Sequence, residues 1–251
     1  MAKRIQPSIR EGDSVIQPFT ANLQAVCFDL DWTLSAYPLS TREVLEQALS
    51  RASMSADLLG DLTIAADQYD ALWLTLERSS PSTDTLRVQI LSAMFAQRGL
   101  GHEDGVVAIA KAYGDIRRET GVCLYPGVDR LLADLGSRYM LGLLTNGPTD
   151  ISWEKIRSLG LDRLFDAVIV AGDVGIYKPD VEVFELLLDA LGAAAHRSIF
   201  VGDTYGTDIV GAAQAGMHTA WIKREGYAID DQSIQPTLIR ADTAQLREDL
   251  L

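Results

Sequence analysis

The sequence predicts an α/β fold, a parallel sheet wrapped by helices and interrupted by a helical insertion after its first strand. Short apolar runs bounded by turn residues stand at Leu23–Leu30, Met140–Leu144, Ala167–Val170, Ser198–Val201 and Thr219–Ile222. Segments with helical spacing separate the later runs, and strands alternating with helices imply βαβ units. From Thr41 to Glu119 the helical period stands alone, with no strand signal.

Taken in order, residues 1–20 hold Pro7, Gly12 and Pro18 without clear periodicity and read as a loose arm. The first strand follows, ending at Phe28. In the insertion, Val44, Leu45, Ala48 and Leu49 mark one helix and Leu72 with Leu76 a second. Leu86, Ile90, Leu91, Met94 and Phe95 mark a third, and Val106, Ile109, Ala110 and Tyr113 a fourth. Ser82 and Thr83 before Asp84 are a helix start, and Gly99 with Gly101 a stop. After Tyr125-Pro126-Gly127 come helices at 128–138, 150–159, 181–191 and 209–215, each preceding a strand. Leu238-Ile239 is a short last strand and 243–250 a closing helix. The expected division is an arm (1–20), a Rossmann-like α/β core (21–36 and 124–251) and a helical cap (37–123).

A chain of 251 residues with 47% hydrophobic and 23% charged residues has the balance of an ordinary folded protein. Its net charge of -13 argues against general affinity for nucleic acid or anionic membranes, which need positive patches. Two cysteines, Cys27 and Cys123, suggest no disulfide framework, so a cytoplasmic location is expected. Lys3 and Arg4 precede no apolar stretch of a secretory signal, and no run approaches a membrane span.

Ligands of such sheets bind beyond the carboxyl ends of the strands. The first strand ends in Asp29-Leu30-Asp31-Trp32-Thr33. Two carboxylates two residues apart share one face of an extended chain and repel, so a cation between them is favoured. The pair by itself reads equally as a solvated, Asp-rich turn. The second strand ends at Thr145-Asn146-Gly147, and the third is followed by Gly172-Asp173 and then Lys178-Pro179. The fourth ends at Gly202-Asp203, with Asp208 five residues on. Three acids, a lysine and a threonine on one rim suit phosphoryl transfer, where positioning and electrostatics dominate. Mg²⁺, a hard cation with oxygen ligands, is the expected cofactor.

Those four pieces, in order, resemble the four motifs of the haloacid dehalogenase (HAD) superfamily, and the Asp29–Asp31 pair resembles its Mg²⁺-dependent phosphatases. The resemblance extends over residues 23–251 as organisation, although about twenty residues carry it. It implies that Asp29 is the nucleophile and a metal ligand. Asp31 would be the general acid/base and give its backbone carbonyl to the metal. Thr145 would hydrogen-bond the phosphoryl group with Asn146 beside it, and Lys178 would neutralise charge there. Asp203 would be a metal ligand, and Asp208 an outer acid orienting Lys178 or metal-bound water. The helical insertion resembles the C1-type cap that closes the site and selects substrate. The position after Asp31 is often Gly in this family; here it is Trp32, which either packs against the cap hinge or stacks on substrate.

The implied function is hydrolysis of a small phosphomonoester such as phosphoglycolate, a sugar phosphate or a nucleotide, through an aspartyl-phosphate. A haloacid dehalogenase is the first alternative, but relatives of that kind usually carry Tyr where this chain has Asp31. A phosphomutase and a non-catalytic binding protein on the same fold are the others. His102, His196 and His218 lack metal-ligand spacing. Tyr69 and Trp73 read as bundle core. Lys111 reads as a solvated helix residue; Arg87, Arg117 and Arg118 either face the substrate or are exposed helix arginines, and Lys223 and Arg224 lie either near the rim or in solvent, so none receives a role.

Overall fold

The computed structural model describes residues 20–223 apart from 102, and 233–251, with side chains at 103 and 104 left aside. The arm expected over 1–20 lies outside the described residues but for Thr20, as do His102 and Arg224.

The core is one parallel sheet of six strands. In chain order these are β1 (Ala25–Phe28), β4 (Met140–Thr145), β5 (Ala167–Val170), β6 (Ser198–Gly202), β7 (His218–Ile222) and β8 (Leu238–Arg240). Their spatial order is β5-β4-β1-β6-β7-β8. The chain therefore builds outward on one side of β1, then crosses back and builds on the other. The crevice at the carboxyl end of β1 is the switch point where doubly wound sheets place ligands.

Strand side chains alternate between two apolar layers. Val26 and Phe28 join Leu131, Leu132 and Leu135 of α5 (Val128–Gly136), Ile156 of α6 (Thr149–Ser158), and Leu246 and Leu250 of α10 (Leu246–Leu250). Ala25 and Cys27 face Val183, Phe184, Leu187 and Leu191 of α8 (Val181–Leu191), and Ala212 of α9 (Val210–Gln214). Helices on both faces explain why the strands read as continuous apolar runs. A one-turn helix, α7 (Ala171–Val174), follows β5 directly.

Between β1 and β4 lie four helices, α1 (Thr41–Arg51), α2 (Leu62–Leu76), α3 (Thr83–Gln97) and α4 (Glu103–Thr120). They bury their own cluster, including Leu45, Leu49, Tyr69, Leu86, Ile90, Met94, Ile109 and Ile116. Ser40 starts α1 with a capping box to Glu43, and Ser82 caps α3 as its sequence predicts. The sequence reading missed a two-residue antiparallel ribbon, β2 (Ser35–Ala36) with β3 (Cys123–Leu124), through which the chain leaves and re-enters the core. Side-chain hydrogen bonds tie bundle to core. Asp150 of α6 accepts the Thr83 backbone N–H at 2.9 Å and its hydroxyl at 2.5 Å. Arg78 donates to the Lys178 carbonyl at 3.0 Å. Among the described residues no helix is long and apolar enough to cross a membrane.

Candidate active site

A cavity of about 410 Å³ opens at the carboxyl end of β1, floored by the sheet rim and walled by the bundle. Asp29, Asp31, Trp32, Thr145, Asn146, Lys178, Asp203 and Asp208, the eight residues expected at the site, all line it. They come from the ends of β1, β4 and β6 and the loop that follows β5 and α7, as the parallel topology requires.

Lys178 is the hub of the floor. Its Nζ lies 2.6 Å from Asp29 Oδ1 and 2.8 Å from Asp208 Oδ1, with all three side chains buried. Burial by itself lowers a lysine's pKa; Asp208 and Asp29 outweigh it and hold the ammonium above its usual value. Asn146 clamps the Lys178 backbone, accepting its N–H at 2.8 Å and donating to its carbonyl at 3.0 Å. The Asn146 amide thus spends its oxygen and one N–H on the Lys178 backbone. Asp208 reaches the floor because the wide turn Tyr205–Ile209 folds back under β6, with its carboxylate accepting the Thr204 N–H at 3.0 Å. Gly202 permits that return, since a Cβ there would stand 2.4 Å from Asp208.

Asp29, Asp203 and Asp208 bring carboxylate oxygens within 4.8 Å of one another. Burial pushes Asp29 up to about 7 against the pull of Lys178, and Asp203 up to about 8, with Asp29 and Asp208 adding to the rise. Such a cluster is strained without a further positive charge. Its donors are all carboxylate oxygens, which fits a hard divalent cation such as Mg²⁺. Thr33 donates to Asp203 at 3.5 Å and is buried at the same place.

Asp31 points elsewhere. Its Oδ2 lies 2.5 Å from Nζ of Lys155, a residue of α6 that the sequence reading missed. Burial works against the Lys155 charge, and Asp31 more than compensates, so that pKa is raised. The signal lay in the helical phase: Lys155 falls on the buried stripe with Ile151, Ser152 and Ile156. Trp32 adopts φ +62° and is 50% exposed at the cavity mouth. That left-handed backbone is the physical reason a glycine suits this position; a non-glycine there costs about 1 kcal/mol. Its N–H bonds the Ser35 carbonyl at 2.7 Å, closing the turn that returns the chain to β2.

Arg87 and Arg117, given no role from sequence, are buried in the bundle wall and line the cavity, and Tyr69 lines it as well as packing in the bundle. Lys111 is exposed, as expected.

Comparison with known proteins accords with this geometry. Residues 23–216 match the haloacid dehalogenase-like hydrolase family. The chain is 37% identical over 191 residues to a phosphoserine phosphatase of Thermus thermophilus, a match taking in 73% of this chain and 74% of that protein. It is 38% identical over 102 residues to a glyceraldehyde 3-phosphate phosphatase of Methanothermobacter thermautotrophicus; this match spans 40% of the chain and less than half, 45%, of that relative's length. The fold is shared with the hydrolase YfnB of Bacillus subtilis, solved with magnesium bound (22% identity, TM-score 0.70, 91% of this chain, 98% of that one). It is shared also with a 2-haloacid dehalogenase of Pseudomonas syringae (28% identity, TM-score 0.59, 91% and 98%). The chain belongs to the haloacid dehalogenase-like hydrolases, in their phosphatase branch.

Proposed function

We propose that the chain hydrolyses a small phosphomonoester in a Mg²⁺-dependent reaction that passes through a phosphoryl group carried on Asp29. The observation that carries this reading is Lys178 held between Asp29 and Asp208, 2.6 and 2.8 Å away, on a floor shared with Asp203 and Thr145. Asp29 and Asp203 would hold the cation, with the Asp31 backbone carbonyl as a further donor and Asp208 beside them orienting Lys178. Bound there, Mg²⁺ supplies positive charge opposite the phosphoryl oxygens.

The remaining chemistry falls to the chain. A carboxylate oxygen of Asp29 forms the bond to phosphorus as the ester P–O bond breaks, and the leaving oxygen takes a proton from Asp31. Asp31 then removes a proton from a water whose oxygen attacks phosphorus, releasing phosphate and restoring Asp29. Lys178 offsets charge on Asp29 and the phosphoryl oxygens, and the Thr145 hydroxyl donates to one of them. Asn146 positions Lys178 through its backbone, and Lys155 fixes the Asp31 carboxylate. Trp32 lies at the mouth, where the leaving group would pass. The bundle, over about residues 37–123, serves as the cap that excludes water and selects substrate. The core is then 21–36 with 124–251. Cys27 and Cys123 are both unpaired, in keeping with a reducing cytoplasm.

The Pseudomonas dehalogenase shares the fold, but Asp31 offers a proton donor that loss of a halide does not need. The test is phosphate release from a panel of metabolite phosphates, with and without EDTA, for the native chain and Asp29→Asn. Release that depends on Mg²⁺ and vanishes in the variant is expected. Release that persists without metal, or in Asp29→Asn, contradicts the mechanism.

A further inference from the structure

The bundle wall of the cavity holds a second anion site. We propose that it takes a carboxylate, so that the substrate is a phosphomonoester bearing a carboxylate on its leaving group. The inference rests on the phosphatase reading for the other end of the substrate.

Arg87 of α3 is 3% exposed and Arg117 of α4 is 8% exposed, yet both line the cavity. Guanidiniums at that depth are normally matched by buried carboxylates. Here they are not. Arg87 Nη1 donates to Asp84, whose own side chain is 75% exposed, and Arg87 Nε is buried without a hydrogen-bond partner. Arg117 forms no ion pair with a carboxylate among the described residues. It donates to the Leu39 carbonyl and to the Tyr113 hydroxyl, and its guanidinium lies 4.5 Å from the Tyr37 ring centroid. Tyr69, 1% exposed and stacked on Tyr113 at 4.8 Å, has a buried hydroxyl without a partner. Among these lining residues, two buried polar atoms, Arg87 Nε and Tyr69 Oη, thus lack what burial demands.

The sequence makes room for this arrangement. Gly114 sits within α4, where glycine costs about 1 kcal/mol relative to alanine. A Cβ at Gly114 would come within 2.8 Å of Arg87 Nη1, so the glycine lets the guanidinium occupy that place. Two carboxylates also line this wall: Asp70 is exposed and accepts from Thr41 at 2.8 Å, and the buried Glu77 accepts from the Trp73 indole at 2.9 Å; among the described residues neither forms an ion pair with Arg87 or Arg117.

A planar carboxylate presents two oxygens to a guanidinium edge and a hydroxyl together, which is the pairing arginine geometry favours. Tyr37 lines the same cavity, with its ring centroid 4.5 Å from the Arg117 guanidinium. The arginines and the proposed proton donor thus line one cavity of about 410 Å³, which a substrate carrying both a phosphoryl group and a carboxylate can span.

Binding separates this inference from the reaction. Calorimetry on Asp29→Asn protein with Mg²⁺ compares phosphoglycolate with ethyl phosphate, and phosphoglycerate with glycerol phosphate. The carboxylate-bearing member of each pair is expected to bind about tenfold tighter or more. Arg87→Met brings that ratio close to one, and Tyr69→Phe, which keeps the ring stack, lowers it severalfold. The comparison within Asp29→Asn protein alone decides the matter if Arg87→Met fails to fold. A ratio at or below one, a ratio unmoved by both variants, or tighter binding of a bisphosphate overturns the inference. A retained ratio in a chain that releases no phosphate from any ester supports the carboxylate site and removes only the phosphatase reading.

Discussion

The floor and the wall of the cavity use charge in opposite ways. On the floor every cation is matched: Lys178 stands between Asp29 and Asp208, and Lys155 meets Asp31. In the bundle wall Arg117 leans on neutral partners, while Arg87 Nε and Tyr69 Oη have none. On the proposed mechanism the floor's own cations stand in place before substrate arrives, and its acids still call for a metal ion. The wall, on the inference above, is completed by a group on the substrate. The two proposals thus place chemistry and selection in different parts of the chain, one read from strand ends and the other from helices.

Predictions can break or sharpen that contrast. The largest effect is expected from Lys178→Met, which leaves two buried carboxylates facing each other. Breaking a buried pair costs about 3–5 kcal/mol, so chemical denaturation should detect a loss of that size together with loss of turnover. A stable, active Lys178→Met would mean the floor is not built around that ammonium. Next is Asp31→Asn, expected to lower kcat by about 10²–10⁴-fold for esters with poor leaving groups. Esters with good leaving groups, which need little protonation, should be hurt less in the first step; equal losses across leaving groups would argue against proton transfer there.

Glu77, beside the cavity, gives the third. Burial pushes its carboxyl up to about 7, with the Trp73 indole N–H, 2.9 Å away, opposing. The folded chain therefore keeps a proton that the unfolded chain releases near pH 4.5. Stability from this residue falls as pH rises from about 4.5 through about 7, by at most about 3 kcal/mol. Glu77→Gln should remove that part of the decline, as read from denaturation at the two ends of the window. An identical pH profile in the variant would refute the assignment. The smallest effect is expected for Lys155→Met, which frees the Asp31 carboxylate without removing it: about a tenfold loss in kcat, largely restored by Lys155→Arg. A loss as large as that of Asp31→Asn would place Lys155 among the reacting groups.

The sequence was legible where topology constrains it. Parallel strands end on one rim, so Asp29, Thr145, Lys178 and Asp203 could be gathered without knowing any distance. Asp208 was found as an acid near that rim, and the turn that brings it to Lys178 became clear only in three dimensions. The helices were harder, because a charged residue on a helix reads as solvated by default. Arg87 shares the buried face of α3 with Thr83, Ile90, Leu91 and Met94, and Lys155 the buried face of α6; tracing phase through the charged positions would have flagged both. The glycine at 114, costly within a helix, was a further sign that α4 accommodates a bulky neighbour. The β2–β3 ribbon was invisible because two-residue strands have no period to detect.

The central claim is that Asp29 carries the phosphoryl group. Rapid acid quench during turnover with Mg²⁺, followed by mass spectrometry of the peptide containing Asp29, tests it directly. A phosphoryl adduct on Asp29 that accumulates when Asp31 is replaced by Asn, with a substrate that leaves readily, is the predicted result. Phosphate release at full rate with no adduct at Asp29, or with the adduct on another residue, would contradict the account.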